Sequence, residues 1–221
     1  LAAGFYPAQK LRHHVGRCRQ HTALGGEFFH HLCRCGRIQA LDRVRHQFHA
    51  LAGFEQDLDM LLAAINARTG IVWIANPNNP TGTYLNRHQL KTMLEKLKGR
   101  NIIVLLDYAY REYARAADLP GAMEFYRDYP NLIVTGTFSK IYGLAGLRVG
   151  YAIAPVEVAE ALRACAVPFG VSGVAQAAAL AALEVEDELL RRVERIVAAR
   201  SWVTDALRVQ GWQVPDSQAN F

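Results

Sequence analysis

From Phe54 onward the apolar residues follow two rhythms. In "EQDLDMLLAAINA", Leu58, Leu61, Leu62 and Ile65 recur at the spacing of one helix face. "NRHQLKTMLEKLKG" repeats it with Leu90, Met93, Leu94 and Leu97, behind Asn86 as a candidate N-cap. Between and after these lie continuous apolar runs: "GIVWIA", "NIIVLLD", "NLIVTG" and "RVGYAIA". Runs of this kind, short and rich in β-branched residues, predict strands buried on both faces. "GAMEFYRDYP" predicts a short helix. "PVEVAEALRACA" predicts another, with its proline in the tolerated first turn. "VSGVAQAAALAALE" predicts a helix of small residues able to pack closely. The stretch "VEDELLRRVERIVAARSWVTDALRVQG" predicts a long amphipathic helix, with Leu189, Leu190, Val193, Ile196 and Val197 on or near one face.

Buried strands alternating with helices imply an α/β fold, a mostly parallel sheet covered by helices. In such open sheets ligands bind at the C-terminal strand ends. The residues that follow each apolar run are therefore the ones to weigh.

Residues 1–53 show neither rhythm, and their charge sets them apart. They hold eight Lys/Arg against two acids, while the remaining residues hold 17 against 18, so the net charge of +5 is a basic segment joined to a nearly neutral one. Seven of the eight histidines and three of the four cysteines also fall before residue 50. No helix-turn-helix or RNA-binding pattern supports a nucleic-acid arm. The cluster His30, His31, Cys33 and Cys35 does not match the usual paired metal-ligand spacings. The expectation is an aberrant basic segment over 1–53, from a shifted reading frame or a misplaced start; the chain opens on Leu1 rather than methionine. Residues 54–185 then form a partial large domain, and 186–221 the start of a smaller C-terminal one. No apolar run approaches the ~20 residues of a membrane span. No signal-peptide pattern or disulfide framework is visible, so a cytoplasmic protein without metal, membrane or nucleic-acid partners is expected.

Three strand ends carry polar groups. After the first comes "NPNNPTGTYL", a stiff loop offering Asn76, Asn78, Asn79, Thr81 and Thr83. After the second, Asp107 is either an N-cap or a counter-ion to a buried cation, with Tyr110 in reach of the same neighbourhood. After the third comes "TFSK". Thr137 and Ser139 suit a phosphate and Lys140 an aldehyde, although Lys140 also reads as a solvated surface lysine. Arg148 offers a planar fork for phosphate, or a structural ion pair. "GLAG" between them lets backbone pass close to a ligand.

The motifs "ANPNNPTGT", "D-x-A-Y" at 107–110 and "TFSKIYGLAGLRVGYAIA" together resemble the fold-type I, pyridoxal-phosphate-dependent aminotransferases. The likeness is greatest to the histidinol-phosphate aminotransferase branch and its aromatic relatives. "VPFGVSGVAQAAALAALE" and "PDSQANF" look like the aromatic enzymes in particular, and the resemblance runs from about Phe54 to Phe221. It implies pyridoxal 5'-phosphate held covalently by Lys140, which then serves as base and acid. Asp107 would pair with the pyridinium nitrogen. Tyr110 and Asn79 would hydrogen-bond the phenolic oxygen. Thr137, Ser139 and Arg148 would bind the phosphate. The implied activity exchanges an amino group between histidinol phosphate or an aromatic amino acid and a 2-oxo acid, with glutamate and 2-oxoglutarate as partner pair, in a homodimer.

There are departures. Tyr108 stands where the family has Glu. The family's ring-stacking aromatic would fall near Phe29 to Arg34, and no phosphate-binding turn is legible there. Its carboxylate-gripping arginine would lie beyond Phe221, so the chain reads as the middle of a longer enzyme. A non-catalytic fragment or a regulator built on the same fold is the alternative.

Overall fold

The computed structural model describes residues 54–121 and 123–221. Helix α1 spans Leu58–Ala63, strand β1 Ile71–Ala75, helix α2 Arg87–Leu97 and strand β2 Ile103–Asp107. A 3₁₀ turn at Arg111–Tyr113 precedes β3, Leu132–Thr137, and a second at Ala145–Leu147 precedes β4, Gly150–Ile153. Helices α3 (Val156–Ala164), α4 (Gly173–Glu184) and α5 (Glu186–Val209) follow.

The strands lie in the order β1-β2-β3-β4, with the first three parallel and β4 antiparallel to β3. The expected sheet is therefore present and mostly parallel, with one reversed edge that the apolar pattern of β4 does not disclose. Register carries Ala75, Asp107 and Thr135 into one row, so the candidate loops leave the sheet together.

Helix α2 shows why the pattern folds as it does. Asn86 accepts from the Gln89 amide, and the Gln89 side chain accepts from the Asn86 amide, both at 2.9 Å, forming a reciprocal capping box. The i, i+3, i+4, i+7 face Leu90, Met93, Leu94 and Leu97 is fully buried against Val104, Leu106, Leu132 and Val134. Each such side chain contributes ~1.5–3 kcal/mol.

A second cluster lies around the residues that follow β2 and β3. It joins Tyr110, Tyr113, Phe138, Ile141 and Tyr142 to Ala175, Ala179, Ala182 and Leu183 of α4, and to Leu189, Val193 and Ala219. The alanines sit at i, i+4, i+7, so α4 packs through its smallest face, behind Ser172, which accepts from the Ala175 amide at 3.1 Å. Helix α5 packs most of its predicted face, with Leu190 and Val197 partly buried against this cluster. Leu189 and Val193 are buried, but Ile196 is exposed and its C-terminal half presents Trp202 and Val209 to solvent.

Within the predicted helix at "GAMEFYRDYP", residues 123–128 instead form a run of turns. Isolated three-residue bonds, Glu124 N to Gly121 O and Asp128 N to Phe125 O, replace a helical ladder. Side chains are drawn to separate partners: Glu124 pairs with Arg87, and Tyr126 donates to the Ala154 carbonyl at 2.8 Å. No helix among the described residues is long and apolar enough to cross a membrane.

Candidate functional site

The first loop is held by its own side chains. The Asn76 amide N–H donates to the Asp107 carbonyl at 2.9 Å as β1 ends. Its buried carboxamide donates to the Leu85 carbonyl at 3.0 Å and accepts from the Leu85 amide at 2.7 Å, closing the loop on itself. Inside, Asn78 Nδ2 donates to Thr81 Oγ1, which shares a second 2.7 Å hydrogen bond with Thr83 Oγ1. Asn76, Asn78 and Thr81 are thus spent on the loop, while Thr83 Oγ1 also donates to the Phe54 carbonyl at 3.0 Å. Asn79 faces Tyr110, and its Nδ2 donates to the Tyr110 hydroxyl at 2.9 Å.

Asp107 closes β2. Its Oδ1 accepts from the Ala109 amide at 3.1 Å, so the capping interaction weighed from sequence exists. Burial raises its pKa above the ordinary carboxylate value; the Ala109 amide, the Thr135 hydroxyl and the Trp73 indole oppose that rise. Trp73 lies two residues before Ala75, the register partner of Asp107, which is the diagonal position across a strand pair. These partners are neutral donors. A cation beside Asp107 would favour the ionised form that burial opposes.

Lys140 reaches the same place from β3. Its Nζ lies 5.0 Å from the centre of the Tyr110 ring. The loop behind it is tight: Gly143 N donates to the Lys140 carbonyl at 3.0 Å and Leu144 N to the Phe138 carbonyl at 2.9 Å. Gly143 takes φ +69°, the left-handed region that only glycine enters cheaply. Thr137 Oγ1 accepts from the Ser139 amide at 3.0 Å.

Arg148 arrives across the β3–β4 pair. Phe138, which Thr137 and Ser139 flank, donates its amide to the Val149 carbonyl at 3.2 Å, placing Arg148 at the same sheet end. Arg148 holds φ 51°, ψ 49°, a left-handed conformation uncommon for a side-chain-bearing residue and concentrated at functional sites. Its guanidinium is exposed and donates to the Ala145 carbonyl at 2.9 Å. The structure therefore joins Asn79, Tyr110 and Lys140 directly. Backbone pairing brings Asp107, Thr137, Ser139 and Arg148 to the same edge.

Several participants are not among the site residues the sequence suggests, although 217–221 fall within the "PDSQANF" motif. Residues 217–221 cross this edge. Gln218 N donates to the Gly82 carbonyl at 2.8 Å, and the Phe221 ring meets the Tyr110 ring at 5.2 Å and 81°. Glu112, two residues past Tyr110, has a pKa pushed up to about 7, chiefly by burial; its own backbone N–H and Arg111 oppose the rise and Glu186 adds to it. Tyr142 donates to Glu186 Oε1 at 3.0 Å, and burial raises its pKa as well. The sequence cluster His30, His31, Cys33 and Cys35 lies outside the described residues. Among the described residues no three His, Cys, Asp or Glu side chains converge as metal ligands.

This donor set suits a pyridine ring bearing an aldehyde, a phenolic oxygen and a phosphate. Lys140 supplies the amine, and Asp107 a half-buried carboxylate with neutral partners. The Asn79–Tyr110 pair supplies a hydroxyl hydrogen for the phenolic oxygen. Ser139, Thr137 and Arg148 supply donors for the phosphate.

The family model for aminotransferase class I and II matches residues 29–221. The aromatic amino acid aminotransferase of Streptomyces coelicolor is 55% identical over 169 residues, 76% of this chain and 47% of that protein. Its counterpart in Streptomyces avermitilis is 52% identical over the same shares. The chain thus spans about half the length of the curated relatives it matches. The structure of histidinol-phosphate aminotransferase from Sinorhizobium meliloti, in complex with pyridoxal-5'-phosphate, superposes with a TM-score of 0.67 at 32% identity, over 75% of this chain and 45% of that one.

Proposed function

This chain belongs to the class I and II aminotransferases, and on that premise we propose that it carries the pyridoxal-phosphate site of an enzyme moving amino groups between aromatic amino acids and 2-oxo acids. The observation that carries the reading is the meeting of Asn79, Tyr110 and Lys140, brought from three different strand ends. Loops of unrelated sequence position converge there on one hydroxyl and one amine.

When bound, the cofactor supplies an electron sink for the substrate α-carbon. The protein's part is division of labour. Lys140 Nζ holds the cofactor covalently and afterwards moves the proton at the α-carbon. Asp107, ionised beside a ring N–H⁺, keeps that nitrogen charged. Tyr110 donates its hydroxyl hydrogen to the phenolic oxygen while accepting from Asn79. Ser139 and Thr137 offer hydroxyls, and Arg148 a two-pronged cation, to the phosphate. The aromatic preference rests on the names of the most similar curated relatives. Histidinol phosphate is the competing substrate, because a structural neighbour carries that name. Glutamate and 2-oxoglutarate as partner pair, and a cytoplasmic homodimer, belong to the same proposal.

The test is borohydride reduction of the chain mixed with pyridoxal 5'-phosphate, followed by peptide mapping. A pyridoxyl group on Lys140 is expected, absent in Lys140→Ala. A folded sample that yields no Lys140 adduct would overturn the reading. Amino-group transfer from phenylalanine or tyrosine in preference to histidinol phosphate then tests the substrate class.

A further inference from the structure

The segment that follows α5 does more than leave the domain. Gln218 Oε1 accepts from the amides of Arg115 and Ala116 at 2.7 and 3.0 Å, while its own amide holds Gly82. Ala219 is fully buried, and its carbonyl accepts from Arg200 Nη1 at 2.5 Å. Arg200 Nη1 also donates to the Tyr113 carbonyl at 3.2 Å, tying the same segment to the turn after Tyr110. These anchors deliver Phe221 to Tyr110. The Tyr110 ring thereby has three partners: Asn79 at its hydroxyl, Lys140 Nζ over its face, and Phe221 in an edge-to-face contact. An edge-to-face pair favours one mutual orientation of the rings.

We propose that Phe221 is a positioning residue: its ring fixes the Tyr110 ring, and so the point from which the Tyr110 hydroxyl meets the cofactor's phenolic oxygen. This rests on the function proposed above. The hydroxyl lies at the far end of the ring, so a small swing about the side chain's first torsion displaces it most. Hydrogen bonding weakens steeply with misalignment. A donor on the phenolic oxygen competes for the proton shared with the neighbouring nitrogen. Displacing that donor raises the pH at which the bound cofactor changes colour.

The experiment loads the full chain, Phe221→Leu and Phe221→Tyr with pyridoxal 5'-phosphate. It titrates the visible absorbance against pH and maps each borohydride adduct. Phe221→Leu keeps apolar bulk but removes the ring, and its midpoint is expected to rise by about half a unit or more. Phe221→Tyr restores the ring and is expected to titrate with the parent. Gln218→Ala loosens the anchor without touching either ring and is expected to move the midpoint the same way; it decides the matter should Phe221→Leu not fold. Coincident titrations in chains whose Lys140 is modified would overturn the proposal and leave the cofactor site standing. A folded parent without the Lys140 adduct would overturn both.

Discussion

The side-chain amide of Asn79 donates to the hydroxyl of Tyr110 at 2.9 Å, across 31 positions of sequence. Asn79 leaves the sheet after β1 and Tyr110 after β2, so this bond fastens two neighbouring loops at their working ends. Asn79→Ala and Tyr110→Phe should each weaken cofactor binding about 3- to 10-fold, the worth of one hydrogen bond. The double variant should lose less than the sum, with a coupling of ~0.5 kcal/mol or more. Equilibrium titration with pyridoxal 5'-phosphate measures it; strict additivity would mean the two residues act independently.

Lys140→Ala should lower amino-group transfer by about a thousandfold or more, as expected when a positioned acid–base group is removed. The variant should keep its fold, because Lys140 is only partly buried and its recorded contact is to the Tyr110 face. Far-ultraviolet circular dichroism should match the parent while the rate collapses.

Asp107→Asn separates two effects of one carboxylate. Burial holds the Asp107 pKa above its ordinary value, so the folded chain keeps this proton longer than the unfolded chain. Without cofactor, its contribution to stability is therefore greatest at low pH. It declines as pH rises through the ordinary carboxylate value towards the raised one. Asparagine removes that decline, so the cofactor-free variant should lose less stability towards neutral pH. It should also bind pyridoxal 5'-phosphate about 10- to 100-fold more weakly, having lost the charge opposite the ring nitrogen. Thermal melts with and without cofactor give the two signs in one experiment.

Glu112 follows the same sign and has a defined window. Its pKa is raised from 4.5 to about 7, so stability is fully present below the lower value and is lost as pH rises through the upper one. Glu112→Gln should therefore flatten the pH profile. It should gain ~1–3 kcal/mol relative to the parent at about pH 8 while differing little at about pH 4. Urea denaturation at the two pH values is the measurement. An equal change at both would point to packing rather than ionisation.

Gly82→Ala should destabilise by ~2 kcal/mol or more and free residues 215–221. Gly82 sits at φ +72°, and an added Cβ would fall 2.1 Å from Ser217 Oγ and 2.8 Å from Ser217 Cα. The serine oxygen can rotate away, but its main chain cannot. Limited proteolysis should then cut at 212–216 faster than in the parent.

Much of the frame is legible because it depends on local pattern. The apolar runs ending at Ala75, Asp107 and Thr137 are strands, although β1 exposes Trp73 instead of being buried on both faces, and the polar residues just beyond them meet at one edge, as a parallel sheet requires. Asn86 caps α2 as its position indicates. What escapes the sequence depends on distant partners. The bonds from Arg115 and Ala116 to Gln218 span more than a hundred positions, and no periodicity announces them. "EFYRDY" has helical spacing at Phe125 and Tyr129, both buried. Its backbone nevertheless makes only isolated turns, with Glu124 paired to Arg87 and Tyr126 donating to the Ala154 carbonyl. Within the loop after β1, composition offers five equivalent polar side chains. Hydrogen bonds within the loop, and from Thr83 to the Phe54 carbonyl, occupy the other four and leave Asn79 to face Tyr110.

Asn76 and Asn79, the asparagine that closes this loop and the one that faces Tyr110, are each followed by a proline. Asparagine ages chiefly when the next residue's main-chain nitrogen attacks the side-chain carbonyl and expels ammonia. Proline has no N–H with which to do so. The two carboxamides are thus shielded by covalent structure from the usual route of spontaneous deamidation. Asn78, whose successor does carry that N–H, has its own amide engaged with Thr81 at 2.7 Å. The same prolines that stiffen the loop thus keep Asn76 and Asn79 from turning into aspartates by that route.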